Sequence, residues 1–213
     1  MLLRLLFGRP AGQAMLAVLF LSVGVAKADT HPGIKLVEDL HAAMLGVMKD
    51  AQGLGYDGRI AKLAPVLERV YGYSEMVRVA TGSHWKNMGD ADRAALVKAY
   101  GKMSAASYAA RLDGYGGERF ETLSVDDLPA PNKGVMVNTR LVKGSGGEVK
   151  LSYRLLPGDQ GWRIVDVFYN GAVSELATQR SEYLSILGVE GVTGLLRKIE
   201  QKAADLAAGK KSG

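Results

Sequence analysis

The chain has 213 residues, with 27 Lys and Arg against 22 Asp and Glu, three His and no Cys. The missing thiols exclude disulfides, thiolate metal sites and cysteine nucleophiles. Basic and acidic residues are interspersed, so the formal net charge of +5 forms no stripe of the kind that tracks a nucleic-acid backbone.

In chain order, Arg4 and Arg9 precede an apolar run from Ala14 to Val25, which ends in Ala26-Lys27-Ala28, a small-x-small pattern. That is the three-part layout of a secretory signal peptide. A run of about a dozen residues falls short of the roughly 20 that span a bilayer. Residues 1–28 are therefore expected to be a cleaved leader, and no Cys follows the run to carry a lipid anchor. Its removal takes away three cations and no acid, leaving a net charge of +2. The remaining 185 residues are enough for one domain with its own core.

The first half reads helical. Ile34, Val37, Leu40, Met44 and Val47 recur at spacings of three and four. Asp57 can cap a second helix carrying Ile60, Leu63, Leu67 and Val70, with a kink or break expected at Pro65. Ser74 can cap a short helix ending near Gly82. Asp90 can cap a long one with Leu96, Tyr100, Met103 and Ser107 on one face, stopped by Asp113–Gly117.

The period then changes to two. Arg119–Leu123, Gly134–Val142, Glu148–Leu156 and Trp162–Asn170 read as strands. The short connections Lys143–Gly147 and Pro157–Gly161 read as hairpin loops, so an antiparallel meander is expected. Ser174 can cap a helix over Glu175–Leu187, and Gly191–Ala207 reads as another. Residues 208–213 read as a disordered basic tail. The whole is an α+β pattern: N-terminal helices, a curved sheet of about four strands, C-terminal helices. Such a sheet backed by helices can enclose an apolar pocket.

The familiar catalytic and metal signatures do not fit. His31, His41 and His84 lie in no zinc-ligand spacing. The glycine segments Gly114–Gly117 and Gly144–Gly147 do not follow the strand-then-helix order of a phosphate cradle, and read as turns. No cofactor is expected. Asp166 stands inside the apolar run Trp162–Val167 and must be exposed or paired. The expected partner is Arg180; the alternative is a general base in an open cone-shaped sheet.

Four stretches carry a family resemblance: Ser74-Glu75-Met76-Val77-Arg78-Val79-Ala80-Thr81-Gly82-Ser83-His84-Trp85; Ala109-Ala110-Arg111-Leu112 through Tyr115-Gly116-Gly117-Glu118-Arg119-Phe120; Val149-x-Leu151-x-Tyr153-Arg154-Leu155 with Gly161–Val167; and Gly171-Ala172-Val173-Ser174 leading to Arg180-Ser181-Glu182-Tyr183 and Gly188. In this order they resemble the MlaC family of phospholipid-binding, toluene-tolerance auxiliary proteins. Val173–Ala177 with Arg180–Tyr183 is similar to the hopanoid-associated HpnM branch, although Gln179 stands where many relatives have Tyr.

The resemblance implies a periplasmic, non-enzymatic carrier, with residues 29–207 as the lipid-binding domain. It would hold a phospholipid, or a hopanoid in the HpnM branch, by its apolar part. Its partners would be an outer-membrane lipoprotein–porin complex and an inner-membrane ABC transporter with MCE subunits, the exchange keeping the outer membrane asymmetric. The need is physical: exposing about 32 methylenes to water costs on the order of 25 kcal/mol. Candidate pocket residues are Leu96, Tyr100, Met103, Val137, Leu151, Tyr153, Ile164 and Val167. Ile164 and Val167 have opposite parity, so in a regular strand only one could face the pocket. Two other readings stay open: a small-molecule enzyme using Asp166, and a periplasmic interaction or chaperone module without a cavity.

Overall fold

The structure, a computed structural model, describes residues 31–130 and 133–210. The expected leader, residues 1–28, lies outside the described residues, as do residues 211–213 of the expected tail.

Helix α1 (Pro32–Lys49) begins where His31 turns its ring back, Nδ1 accepting from Gly33 N at 3.0 Å, with Pro32 in the first turn. Its stripe of Val37, Leu40, Met44 and Val47 is buried. Helix α2 (Ala51–Val70) breaks at Gly55 (φ 60°), and not at Pro65, where the helical dihedrals continue. Glycine alone adopts that left-handed angle without a Cβ penalty, so the break falls where it costs least. Helix α3 (Tyr73–Thr81) starts from Gly72 in place of Ser74, and α5 (Asp90–Arg111) from Gly89 in place of Asp90, whose carboxylate pairs with Arg93 at 3.1 Å. Between them lies a single-turn helix, α4 (His84–Asn87), too short to show a period.

The sheet runs in order β1 (Arg119–Asp127), β2 (Val135–Val142), β3 (Glu148–Gly158), β4 (Gly161–Tyr169) and β5 (Val173–Ser174), each strand antiparallel to the next. The fold is thus the expected α+β meander with a fifth strand. Two residues, Val173 and Ser174, are too few to show alternation. Strand β1 runs four residues beyond the expected Leu123, because a bulge between Thr122 and Ser124 leaves Leu123 unpaired and half exposed and then resumes the ladder.

Register places one face inward. Val137 opposes Tyr153, Thr139 opposes Leu151 and Leu141 opposes Val149. The opposite face is polar: Asn138 donates to Ser124 Oγ at 3.0 Å and accepts from Ser152 Oγ at 2.7 Å, while Arg140 bridges Glu121 and Glu148. The parity conflict in β4 is resolved by a second bulge. Asp166 opposes Arg154 and Ile164 opposes Leu155, so Val165 is the extra residue. Ile164 and Val167, the latter opposite Tyr153, therefore share the inward face. The free side of β4 is covered by a parallel bridge from Tyr71 to Ile164, with Gly72 N donating to Ile164 O at 2.8 Å.

Helix α6 (Glu175–Ala207) is kinked at Gly191 (φ 65°), the point where the sequence separates two helices. Ser174 is its cap, accepting from Ala177 N at 2.9 Å. Asp166 is paired, but not with Arg180. Its Oδ1 accepts from Val167 N at 2.8 Å and Leu176 N at 3.1 Å, and its Oδ2 from Ser174 Oγ at 2.6 Å. The carboxylate thus sits at the positive end of α6. Arg180 instead donates to Val79 O at the end of α3. The first residues of the expected tail fold back, Lys210 pairing with Asp205 at 3.1 Å.

Asp166→Ala is expected to destabilise the protein by about 2–3 kcal/mol in urea unfolding, because it orphans buried donors and removes a helix-end anion. A double-mutant cycle with Arg180→Ala should show coupling below about 0.5 kcal/mol. A larger coupling would restore the ion pair.

Candidate ligand cavity between sheet and helices

The inward sheet face is not fully covered. Helix α1 crosses one part and the C-terminal end of α5 another, and between them lies a cavity of about 290 Å³. Met44 and Met48 of α1 and Tyr108 and Leu112 of α5 form its helical wall. Phe120, Leu141, Val149 and Leu151 form the sheet wall, continued by Tyr153, Val167 and Tyr169. The volume is near the lower bound of about 300 Å³ typical of small-molecule sites, and the lining is apolar with thioethers that repack easily.

Charge is confined to Arg111, Glu118 and Lys143. Here two glycine turns meet. A Cβ on Gly144 would stand 1.5 Å from Gly116 O, so only glycine permits the approach of these loops. Glu118 Oε2 accepts from Gly116 N at 2.6 Å and ties down the first loop.

The polar atoms of the wall are turned into pairs. Tyr153 and buried His41 share a hydrogen bond at 3.0 Å, and His41 stacks on Phe120 with ring centroids 3.9 Å apart. Burial lowers the His41 pKa to about 3. Tyr108 and Tyr71 pair hydroxyl to hydroxyl, and burial pushes both well above the usual phenol range. Stacked and edge contacts continue the row through Tyr73 and Tyr100 to Tyr183. Tyr100 donates to Gln179 Oε1, so the Gln at this position holds the hydroxyl of the row.

Beyond Tyr108 a gap of about 30 Å³ leads toward a second, more polar cleft of about 790 Å³ between α5 and α6. The candidate pocket residues divide among these spaces. Leu151, Tyr153 and Val167 line the apolar cavity; Tyr100 and Met103 border the gap, Met103 also the cleft. Leu96, Val137 and Ile164 are fully buried in the core beneath. The sequence reading omitted Met44, Met48 and Tyr108. A helical stripe marks residues as inward without saying whether they meet protein or space. It also omitted Leu141 and Val149, whose alternation with Arg140 and Lys150 was the available signal. Among the described residues no group of three or more His, Asp or Glu converges as a metal site, and no helix is long and apolar enough to cross a membrane.

Fold and cavity together define a helix-backed open-sheet protein with an internal apolar pocket. The chain belongs to the MlaC family, whose model, described as MlaC protein, matches residues 38–201. A solved structure of the phospholipid-binding protein from Ralstonia solanacearum, in complex with a phospholipid at 1.53 Å resolution, has a similar fold: TM-score 0.70 and 18% identity over 81% of this chain and 97% of that one. No curated protein matches the chain in sequence.

His41 yields a pH prediction. Its folded pKa lies below the unfolded value of about 6.5, so the unfolded state binds the extra proton and stability falls as pH drops from about 6.5 toward 3. Between pH 7 and pH 5 the loss should be about 2 kcal/mol in urea unfolding, and His41→Gln should remove that increment. Equal slopes for both proteins would show that His41 charges freely in the fold.

Proposed function

We propose that the protein is a periplasmic lipid carrier that holds the acyl or other apolar part of a membrane lipid in the cavity between its sheet and helices and moves it between the outer and inner membranes. The observation that carries this reading is the unfilled apolar cavity at about 290 Å³, walled by α1, α5 and the inward sheet face, in a chain of the MlaC family. Support comes from a neighbour of the same fold that is a phospholipid-binding protein. Leu151, Tyr153 and Val167 are proposed to touch the lipid, Tyr100 and Met103 to border the space it opens into, and Leu96, Val137 and Ile164 to support the wall. The cargo is a glycerophospholipid or, in the HpnM-like branch, a hopanoid. The partners are an inner-membrane ABC transporter with MCE subunits and an outer-membrane lipoprotein complex. Residues 1–28 are proposed to direct export, residues 29–207 to form the carrier domain and residues 208–213 a basic tail.

Two observations weigh against the other readings. Asp166, the acid an enzyme would use, does not line the cavity, and both of its oxygens accept hydrogen bonds in the cap of α6. The large apolar side chains most exposed among the described residues, Tyr115, Leu123, Val173 and Val189, lie on four separate segments, which does not suit a client-binding patch.

The test is native mass spectrometry of residues 29–213 purified from a periplasmic extract, followed by organic extraction. One stoichiometric lipid is expected, its mass distinguishing phospholipid from hopanoid. Val149→Trp places an indole in the cavity from a half-buried strand position and should lower lipid occupancy at least tenfold. Tyr153→Asp is the poorer probe, because it would also strand His41. A ligand-free spectrum that persists after incubation with vesicles of both lipid types would sink the carrier reading.

A further inference from the structure

Arg111, the last residue of α5, borders the apolar cavity, the gap and the polar cleft alike. The cleft beyond it is cationic: Arg59, Arg111, Lys202 and Lys210 against Asp113 and Glu175. These cations are not equivalent. Arg59 is spent on the carbonyls of Ala109 and Ala51, at 2.8 and 3.0 Å, and Lys210 on Asp205. Arg111 has one long hydrogen bond, to the neutral Tyr169 hydroxyl at 3.3 Å. Among the described residues neither Arg111 nor Lys202 has a carboxylate within ion-pair distance, although both act electrostatically on Glu175.

We propose that Arg111 and Lys202 form a phosphate site for the headgroup of a glycerophospholipid whose acyl part fills the adjoining apolar cavity. The inference rests on the carrier reading and narrows its cargo. Of the charged residues bordering the cavity, Arg111 alone also borders the gap and the cleft, so a chain whose glycerol end points toward the cleft meets it. The guanidinium fork suits two phosphate oxygens, and Lys202 adds a point charge from α6. Glu175 offsets part of the positive field, which suits a singly charged phosphodiester better than a doubly charged phosphate ion. Burial, with the nearby Asp166 carboxylate, raises its pKa, which Arg111 and Lys202 oppose. A hopanoid hydrocarbon offers the two cations no acceptor, and a diacylglycerol offers ester and hydroxyl oxygens but no anion.

The experiment is competition, read by native mass spectrometry, between phosphatidylethanolamine and diacylglycerol with the same acyl chains, presented in mixed vesicles. Wild-type protein should prefer the phospholipid at least tenfold. Arg111→Gln/Lys202→Gln should bring the ratio close to one. The ratio is taken within one protein, so a loss of folded material cancels. Arg111→Lys with native Lys202 should recover part of the preference. A wild-type ratio near one, or a double variant that keeps the preference, overturns the site. Saturable binding of inorganic phosphate alone, lost in the double variant while the lipid ratio stays put, assigns these cations to free phosphate and overturns the headgroup. Wild-type protein that takes up neither lipid overturns the carrier reading itself.

Discussion

A sheet whose inner face is apolar must be covered, and here the helices cover it incompletely. Helix α1 packs on β1, β2 and β4, while α5 is held away from the sheet's centre by α2 and α6. The Arg59 side chain helps fix that spacing by linking α2 to the carbonyl of Ala109 in α5. The wall side chains that remain uncovered, Leu141, Val149 and Phe120, are half-buried because they face space. Proteins rarely leave such space, since an unfilled apolar volume forfeits contact energy on every side. The cavity survives because Tyr108 and Tyr169 are held by hydrogen bonds to Tyr71 and Arg111 and cannot collapse into it without breaking them.

The anchoring is polar, which is unusual for an apolar site. Each tyrosine facing the cavity has its hydroxyl turned to a partner: Tyr153 to His41, Tyr108 to Tyr71, Tyr169 to Arg111. A buried hydroxyl without a partner would cost about 1–3 kcal/mol, so the pairing fixes the orientation of each ring. The same pairing keeps these hydroxyls from presenting unpaired donors and acceptors to the cavity, which suits hydrocarbon. His41 stays neutral for the same reason that Tyr153 stays protonated, since burial disfavours either charge.

Much of this was legible in the sequence, and the rest was hidden for definable reasons. Val137, Thr139 and Leu141 against Met136, Asn138 and Arg140 gave β2 its face, and Lys143–Gly147 gave the hairpin. Periodicity could not show β5, α4 or the bulge at Val165, because each is a local departure from the period on which the reading depends. The Pro65 expectation failed because the helical dihedrals continue through the proline, and the break falls at Gly55, whose positive φ glycine takes without a Cβ penalty. Arg180 was a reasonable partner for Asp166 by charge, but helix N–H groups carry no letter in the sequence. Within the cavity, Leu151, Tyr153 and Val167 were legible as inward residues. The division between cavity wall and solid core was not, because Leu96 and Met44 read alike along a helix.

The position of Asp166 bears on how the second cleft could be charged at all. Its carboxylate accepts from Leu176 N in the first turn of α6, one residue after Glu175, and lies on the face of β4 away from the cavity. Had Asp166 faced inward, a further acid would stand near Arg111 and the cleft's excess of cations would be halved. The bulge at Val165 prevents this. It brings Ile164 and Val167 inward together and turns Asp166 out. One inserted residue in β4 therefore keeps the apolar wall continuous, gives the first turn of α6 a carboxylate acceptor, and leaves Glu175 and Asp113 as the acids lining the cleft with Arg111 and Lys202.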